Sequence, residues 1–371
     1  MTMNINARYA RQTVLAELGE EGQKKLLTSS VLCIGAGGLG SPALQYLAAA
    51  GIGRIGLVDD DTVDVSNLQR QVLFREEDQG KPKASAAAAA LSRLNSSCHV
   101  EPYHERFQAS NAERLVRNYD VILDGTDNFA SKFLINDACM KYGKPLVYGS
   151  ILGFEAQVSV FWAKHGPCYR CLYPRPPGGH VPNCAEAGVI GAMAGIAGSV
   201  QALEAVKMAL GLAWCKEKQL EPLLGRLWML DARTMQSRRL DVPKRPACAI
   251  CSARPEKIAL EDAGAACTSK SGVRPVQADE AVRMVGKACF IDVRETPELA
   301  SGKVPEALHI PLWTLLNDEG ALGDISPKTP VIVYCQHGIR SLTAASHLLA
   351  LGFTNVSHIA GGIVRWPAKL I

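Results

Sequence analysis

The sequence predicts an α/β protein of two domains, on three observations. Short apolar runs alternate with helix-like stretches up to about residue 250, the pattern of a mostly parallel sheet covered by helices. A shorter alternation of the same kind begins after residue 275. Between them, residues 252–274 contain few large apolar groups and read as a tether. The expected organisation is a first domain over 1–251, a linker over 252–274 and a second domain over 275–371.

Val14, Leu15, Leu18, Leu26 and Leu27 recur at helical spacing in an otherwise polar segment, predicting an N-terminal helix over about 8–28. Val31 to Ile34 is a short apolar strand, and Gly35-Ala-Gly37-Gly38-Leu-Gly40 is a glycine turn. Ser41 and Pro42 then suit a helix start, with the helix running to Ala50. Ile55 to Val58 is a second strand that ends in Asp59-Asp60-Asp61. Strands at 121–123 and 146–148 flank a helical stretch over 133–142, and residues 156–162 alternate like a half-buried strand. The Ala- and Gly-rich segment from about Val189 to Leu210 reads as a buried helix. In the second domain, strands are expected at 288–291 and 331–334, the latter leading to a helix from about Leu342.

Composition narrows the function. The 371 residues are 47% hydrophobic and 20% charged, enough apolar material for a core in each domain. The net charge of +4 comes from 40 basic and 36 acidic residues, too even to imply a nucleic-acid or anionic-membrane partner. No run is long and apolar enough for a membrane span, and the first residues have no apolar leader segment. The expectation is a cytoplasmic protein. In that setting the twelve cysteines point to metal binding or catalysis more than to disulfides.

The glycine turn lies between a strand and a helix, where backbone amides and the helix N-terminus can hold phosphates. Asp59, at the end of the next strand, is placed to accept hydrogen bonds from a ribose. These two features alone also suit an NAD-dependent oxidoreductase. The next two segments suit a triphosphate better: Ser66-Asn67-Leu-Gln-Arg70 and Gly80-Lys-Pro-Lys83 supply an amide, a guanidinium and an ammonium. Asp127-Asn128 closes another strand at its C-terminal end, where a carboxylate can hold the magnesium that accompanies ATP.

Cys168 and Cys171 form one pair with two residues between, and Cys248 and Cys251 form another. Four such thiolates favour a zinc site with no open position, hence a structural one. Cys184 stands in a Pro/Gly-rich loop leading into a helix, a setting that lowers a thiol's pKa and lets it move. Cys335 closes a strand and opens the loop Cys335-Gln-His-Gly-Ile-Arg340-Ser341. Inward-facing amides there, with Arg340, would stabilise a thiolate or persulfide anion.

With Arg8-Tyr-Ala-Arg11-Gln12, GAGGLG, SNLQRQ, GKPK, DGTDN and the two cysteine pairs in this order, residues 8–251 resemble the ubiquitin-activating-like adenylyltransferases of the ThiF/MoeB type. Asp292-Val-Arg-Glu295, His309-Ile-Pro311, the Cys335 loop and Gly361-Gly362 with Trp366 make residues 275–371 resemble a rhodanese sulfurtransferase. Lys303-Val-Pro-Glu306 stands where that family often has His-Ile-Pro-Gly.

The resemblance implies a Rossmann-like ATP-binding domain with a structural zinc, joined to a smaller α/β rhodanese domain. It implies adenylation of the C-terminal Gly-Gly carboxylate of a small ubiquitin-like sulfur carrier, then sulfur transfer to give a thiocarboxylate. Asp59 would bind ribose. Asn67, Arg70 and Lys83 would bind phosphates, and Asp127 magnesium. Arg11 would reach the ATP of the partner in a homodimer. Cys184 would form a thioester or a mixed disulfide, and Cys335 would carry the persulfide, charged by thiosulfate or by a cysteine desulfurase. Molybdopterin synthesis is one of several pathways that use such carriers. A carrier-docking module without the chemistry is the competing expectation, with the oxidoreductase behind it.

Overall fold

In the computed structural model, residues 5–175, 188–262 and 273–367 are described, apart from 324 and 337. They fall into two compact units, divided between residues 262 and 273.

The first unit is built on an eight-stranded sheet. Its strands are β1 (Ser30–Ile34), β2 (Arg54–Val58), β3 (His99–Tyr103), β4 (Val121–Asp124), β5 (Leu146–Leu152), β6 (Glu155–Phe161), β7 (Arg226–Asp231) and β8 (Gln236–Asp241). Their order is β3-β2-β1-β4-β5-β6-β7-β8. The first five are parallel and the last three antiparallel. The chain moves outward from β1 to β2 on one side and to β4 on the other. The ends of β1 and β4 therefore form a switch point, where open α/β sheets collect ligands. The fully buried Val-Leu-Cys-Ile run of β1 suits a strand covered on both faces.

Helices α1 (Ile5–Thr13), α2 (Gly19–Thr28), α3 (Gly40–Ala50), α4 (Lys83–Leu94), α5 (Ala109–Val116), α6 (Phe129–Tyr142), the single turn α7 (Tyr169–Leu172), α8 (Gly191–Leu210) and α9 (Leu212–Glu217) cover this sheet. Two apolar clusters fill its faces, one around Leu44, Leu47 and Ala87, the other around Leu115, Ile135 and Phe161. The single N-terminal helix expected over 8–28 is two helices. Gly19, with φ +61°, starts the second after a turn in which the Leu18 amide donates to the Leu15 carbonyl.

The tether reading of 252–274 also needs correction. Residues 252–262 pack onto the first unit: Ile258 is buried, its carbonyl accepts from Lys141 Nζ at 2.5 Å, and Asp262 accepts from the Ala109 amide. One buried isoleucine and backbone bonds suffice to anchor a segment that composition reads as loose. At the other end, Arg274–Val276 is already a strand of the second unit. Residues 263–272 lie outside the described residues.

The second unit has strands β9 (Arg274–Val276), β10 (Cys289–Asp292), β11 (Leu308–His309), β12 (Val331–Tyr334) and β13 (Val356–Ile359). They form one parallel sheet, ordered β11-β10-β12-β13-β9. Helices α10 (Ala278–Val282), α11 (Leu312–Asn317) and α12 (Ile339–Ala350) accompany it. The central strand β12 reads Val-Ile-Val-Tyr, buried throughout, and ends at Cys335.

Candidate active sites and metal centre

The glycine turn after β1 is forced to be glycine by contact. Gly35 has φ +95°, and a Cβ on Gly40 would lie 2.0 Å from the Gly35 carbonyl oxygen. The tight turn brings the start of α3 to the switch point beside Gly125, the residue after β4. Asp59 caps the same turn: its carboxylate accepts from the Ala36 amide at 2.7 Å and from the Asp61 amide at 2.9 Å. Burial pushes the Asp59 carboxyl above the usual range, against the pull of Lys83 and these two amides.

The cations converge on this end of the sheet. Lys83 opens α4, is nearly buried, and donates to the exposed Asp61 carboxylate at 2.9 Å. Ser66 is held by Asp64, which accepts from both its amide and its hydroxyl. Asn67 lies in the same 3₁₀ turn, and Arg70 donates to the Ser66 carbonyl at 3.0 Å. Asp127 is exposed on the loop after β4, and Asn128 caps α6 by accepting from the Ser131 amide at 2.9 Å.

That loop is fixed by Asp124 and Thr126 of the DGTDN run together with Lys132 and Gln201, which carry no motif in the sequence. Asp124, fully buried, accepts from the Thr126 amide and hydroxyl and from Lys132 Nζ at 2.8 Å. Lys132 also donates to the Gly149 carbonyl at 2.6 Å, and Gln201 of α8 donates to the Asp124 carbonyl. A lysine in the first turn of the helix that follows a strand-end carboxylate is the available sequence signal, and it is easily taken for a surface cation.

Arg11 is not brought to this site within the chain. It is exposed on α1, where Gln12 donates to the Ala50 carbonyl and Tyr9 accepts from Asn95 at the end of α4. This is the far end of α3 from the glycine turn, about 16 Å along an eleven-residue helix. Next to α1 is an apolar cleft of about 480 Å³ lined by Leu15, Tyr46, Leu203 and Val206 among others, with Tyr46 and Leu203 exposed.

Cys168, Cys171, Cys248 and Cys251 come together with all four sulfurs within 4.8 Å of one another. The closest pairs are Cys168–Cys248 at 3.6 Å and Cys171–Cys251 at 3.4 Å. A tetrahedron with Zn–S bonds of about 2.3 Å has sulfur–sulfur edges of about 3.8 Å, so the cluster fits that ion. Burial opposes ionisation of Cys168, and like charge adds to it; a dication at the centre reverses both effects. The knuckle is tied to α6: Asn136 accepts from the Tyr169 amide at 2.8 Å, and Arg170 pairs with Asp137 through two bonds at 2.8 and 2.6 Å. Cys184 lies outside the described residues.

In the second unit, Cys335 is buried and its Sγ accepts from the Gly338 amide at 3.1 Å and the Ser341 amide at 3.4 Å. The cradle depends on Gly338, whose φ is +90° and whose Cβ would meet the Gly361 amide nitrogen at 2.8 Å. Behind the loop, Ile363 donates to the Cys335 carbonyl at 2.8 Å. The Ser341 hydroxyl is 3.4 Å from His358, whose burial lowers its pKa and favours the neutral ring. Arg340 is engaged by Glu298, its two terminal nitrogens each 2.6 Å from a carboxylate oxygen.

A parallel-sheet nucleotide turn with converging cations, a four-thiol knuckle and a second sheet presenting a cysteine in an amide cradle define a nucleotide-dependent enzyme joined to a sulfur-handling domain. The ThiF family model matches residues 9–250 and the rhodanese-like domain model residues 277–369, and the chain belongs to the ThiF family, with a rhodanese-like domain after it. It is 40% identical to the adenylyltransferase and sulfurtransferase MOCS3 of Sus scrofa, covering 98% of this chain and 86% of that protein. It is also 40% identical to the probable adenylyltransferase/sulfurtransferase MoeZ of Mycobacterium tuberculosis, covering 98% and 93%. The chain is accordingly an adenylyltransferase and sulfurtransferase. Crystal structures of E. coli MccB share the fold of the first unit: one solved with ATP has a TM-score of 0.56 at 21% identity, over 66% of this chain and 74% of that one. Among the described residues, no helix is long and apolar enough to cross a membrane.

Proposed function

We propose that the first unit adenylates the C-terminal Gly-Gly carboxylate of a ubiquitin-like sulfur carrier and that Cys335 delivers the sulfur. The observation that supports this most is the pairing of two sites on one chain. A nucleotide turn with Asp59, Asn67, Arg70 and Lys83 at one sheet end suits acyl-adenylate formation, and an amide-cradled cysteine suits a persulfide.

In the first stage a carrier carboxylate oxygen attacks the α-phosphorus of ATP, and pyrophosphate leaves. Arg70 and Lys83 offset the charge on the phosphates, while Asp59 holds the ribose. Asp127 would hold magnesium, which neutralises phosphate charge when bound. In the second stage the terminal sulfur of a Cys335 persulfide attacks the acyl carbon and displaces AMP. A thiolate, for which Cys184 is the candidate, then attacks the Cys335 sulfur. That releases the carrier thiocarboxylate and leaves a Cys184–Cys335 disulfide for cellular reductants. In the alternative order, the acyl group passes first to Cys184 as a thioester.

The four clustered cysteines hold a structural zinc. Arg11 serves the partner's ATP in a homodimer formed over the apolar cleft beside α1, which accounts for its distance from its own nucleotide turn. Thiolates of this kind suit a reducing compartment, the cytoplasm. A carrier of molybdopterin synthesis is one candidate substrate. Carrier-dependent ATP–pyrophosphate exchange tests the adenylation: exchange that needs an intact Gly-Gly end supports it, and its absence with every carrier returns the reading to a docking module.

A further inference from the structure

Among the described residues, Arg340 stands in the Cys335 loop and Arg294 reaches it through Gln336, and each of these two is matched by a carboxylate. Arg294 is fully buried. It bonds Asp292 through Nε and Nη2, with 2.7 Å for the closest contact, and its remaining donors go to Ser301, Gly302 and the Glu298 carbonyl, with Gln336 at 3.4 Å. Gln336 is the residue after Cys335. Arg340 immediately precedes Ser341, whose amide donates to Sγ, and it forms a bidentate pair with Glu298 at 2.6 Å for each bond. Burial pushes the Glu298 carboxyl up, but the bonds from Arg340 and the Glu295 amide outweigh it, so Glu298 carries its charge at neutral pH. The two guanidinium charges are offset by Asp292 and Glu298. Among the described residues, the groups in contact with Sγ are dipolar: the Gly338 and Ser341 amides at the start of α12, and the Ser341 hydroxyl at 3.7 Å.

The charge demand of a sulfur donor depends on its class. Thiosulfate brings two negative charges to a thiolate: S₂O₃²⁻ and Cys335–S⁻ give Cys335–S–S⁻ and SO₃²⁻. A persulfide brings none or one: R–S–SH and Cys335–S⁻ give Cys335–S–SH and R–S⁻, the S–S bond of the donor breaking as the new one forms. A net cationic mouth therefore favours the first more than the second.

We propose that Glu298, by neutralising Arg340, sets the donor selectivity of Cys335 against dianions such as thiosulfate and toward a persulfide. This rests on the sulfurtransferase reading of Cys335 given above. Glu298 is a specificity residue here, acting through Arg340.

The test uses the full chain and monitors persulfide formation on Cys335 as a mass gain of about 32 Da that is absent from Cys335→Ala. Thiosulfate, glutathione persulfide and a cysteine desulfurase supplied with cysteine are the three donors. The last two separate a small-molecule source of the persulfide from a protein one. In Glu298→Gln the rate with thiosulfate relative to that with glutathione persulfide is expected to rise about tenfold, the scale of one released charge. Adding Arg340→Gln should reverse the rise, and Glu298→Asp, which keeps the charge, should leave the wild-type ratio. An unchanged ratio in Glu298→Gln, with wild type charged by both donors, overturns the selectivity alone. A wild type that gains no sulfur at Cys335 from any donor overturns the sulfurtransferase reading as well.

Discussion

Lys83 Nζ lies 2.9 Å from the carboxylate of Asp61, a nearly buried ammonium matched to an exposed acid. In the reading proposed above, the pair holds the Lys83 ammonium in place before any phosphate arrives, and ATP takes over the role of Asp61. Asp61→Asn is therefore expected to lower the stability of the ATP-free protein by about 1 kcal/mol, the upper range for a pair with one exposed member. Thermal melting should show that deficit shrinking at saturating ATP. A deficit of the same size with and without ATP would contradict the exchange of partners.

Asp59 gives a pH signature. Its carboxyl is raised above the unfolded value by burial, so the native state loses stability as pH rises from the unfolded value through the raised one. Asp59→Asn removes that titration. The melting temperature of the variant, relative to wild type, should move upward between acid and neutral pH even as ATP binding weakens. A difference that is flat with pH would show that the charge carries no penalty.

The buried pair Lys132–Asp124 should be the costliest of these to break. Lys132→Met leaves the Asp124 carboxylate uncompensated in the core and is expected to cost about 3–5 kcal/mol in urea unfolding. Adding Asp124→Asn should recover part of it, because the stranded charge is gone. Since Asp124 anchors Thr126 ahead of Asp127, the single variant should also raise KM for ATP.

The cysteine knuckle is expected to hold one zinc ion per chain by elemental analysis, and Cys168→Ser should lose it. Through Asn136–Tyr169 and Asp137–Arg170 the knuckle braces α6, whose first turn comes directly after Asp127 and Asn128. Chelation should then speed amide exchange within 129–142, and Arg170→Ala should do so more mildly with zinc retained. Unchanged exchange after zinc loss would separate the knuckle from the nucleotide site.

How legible each feature is in the sequence depends on the physics of its signal. The glycine turn, the strands β1, β2 and β4 and the cysteine pairs are legible because contact, full burial and ligand chemistry leave few residue types open at those places. Strand β8, Gln-Ser-Arg-Arg-Leu-Asp, is exposed along its whole length and carries no alternation to find. Lys132, Asp61 and Glu298 escape notice because a charged side chain reveals a partner only when the fold brings one, and neither Lys132 nor Glu298 differs in sequence from a surface residue. Arg11 shows the reverse case: the resemblance singles it out, and the fold puts it away from its own chain's nucleotide turn.

The most direct test of two chemistries on one chain is the intact mass of a Gly-Gly-ended carrier after incubation with the protein, magnesium ATP and a sulfur donor. A gain of about 16 Da, oxygen replaced by sulfur, is expected with wild type and should vanish in Cys335→Ala while pyrophosphate is still released. Thiocarboxylate formed at the wild-type rate by Cys335→Ala would contradict the account.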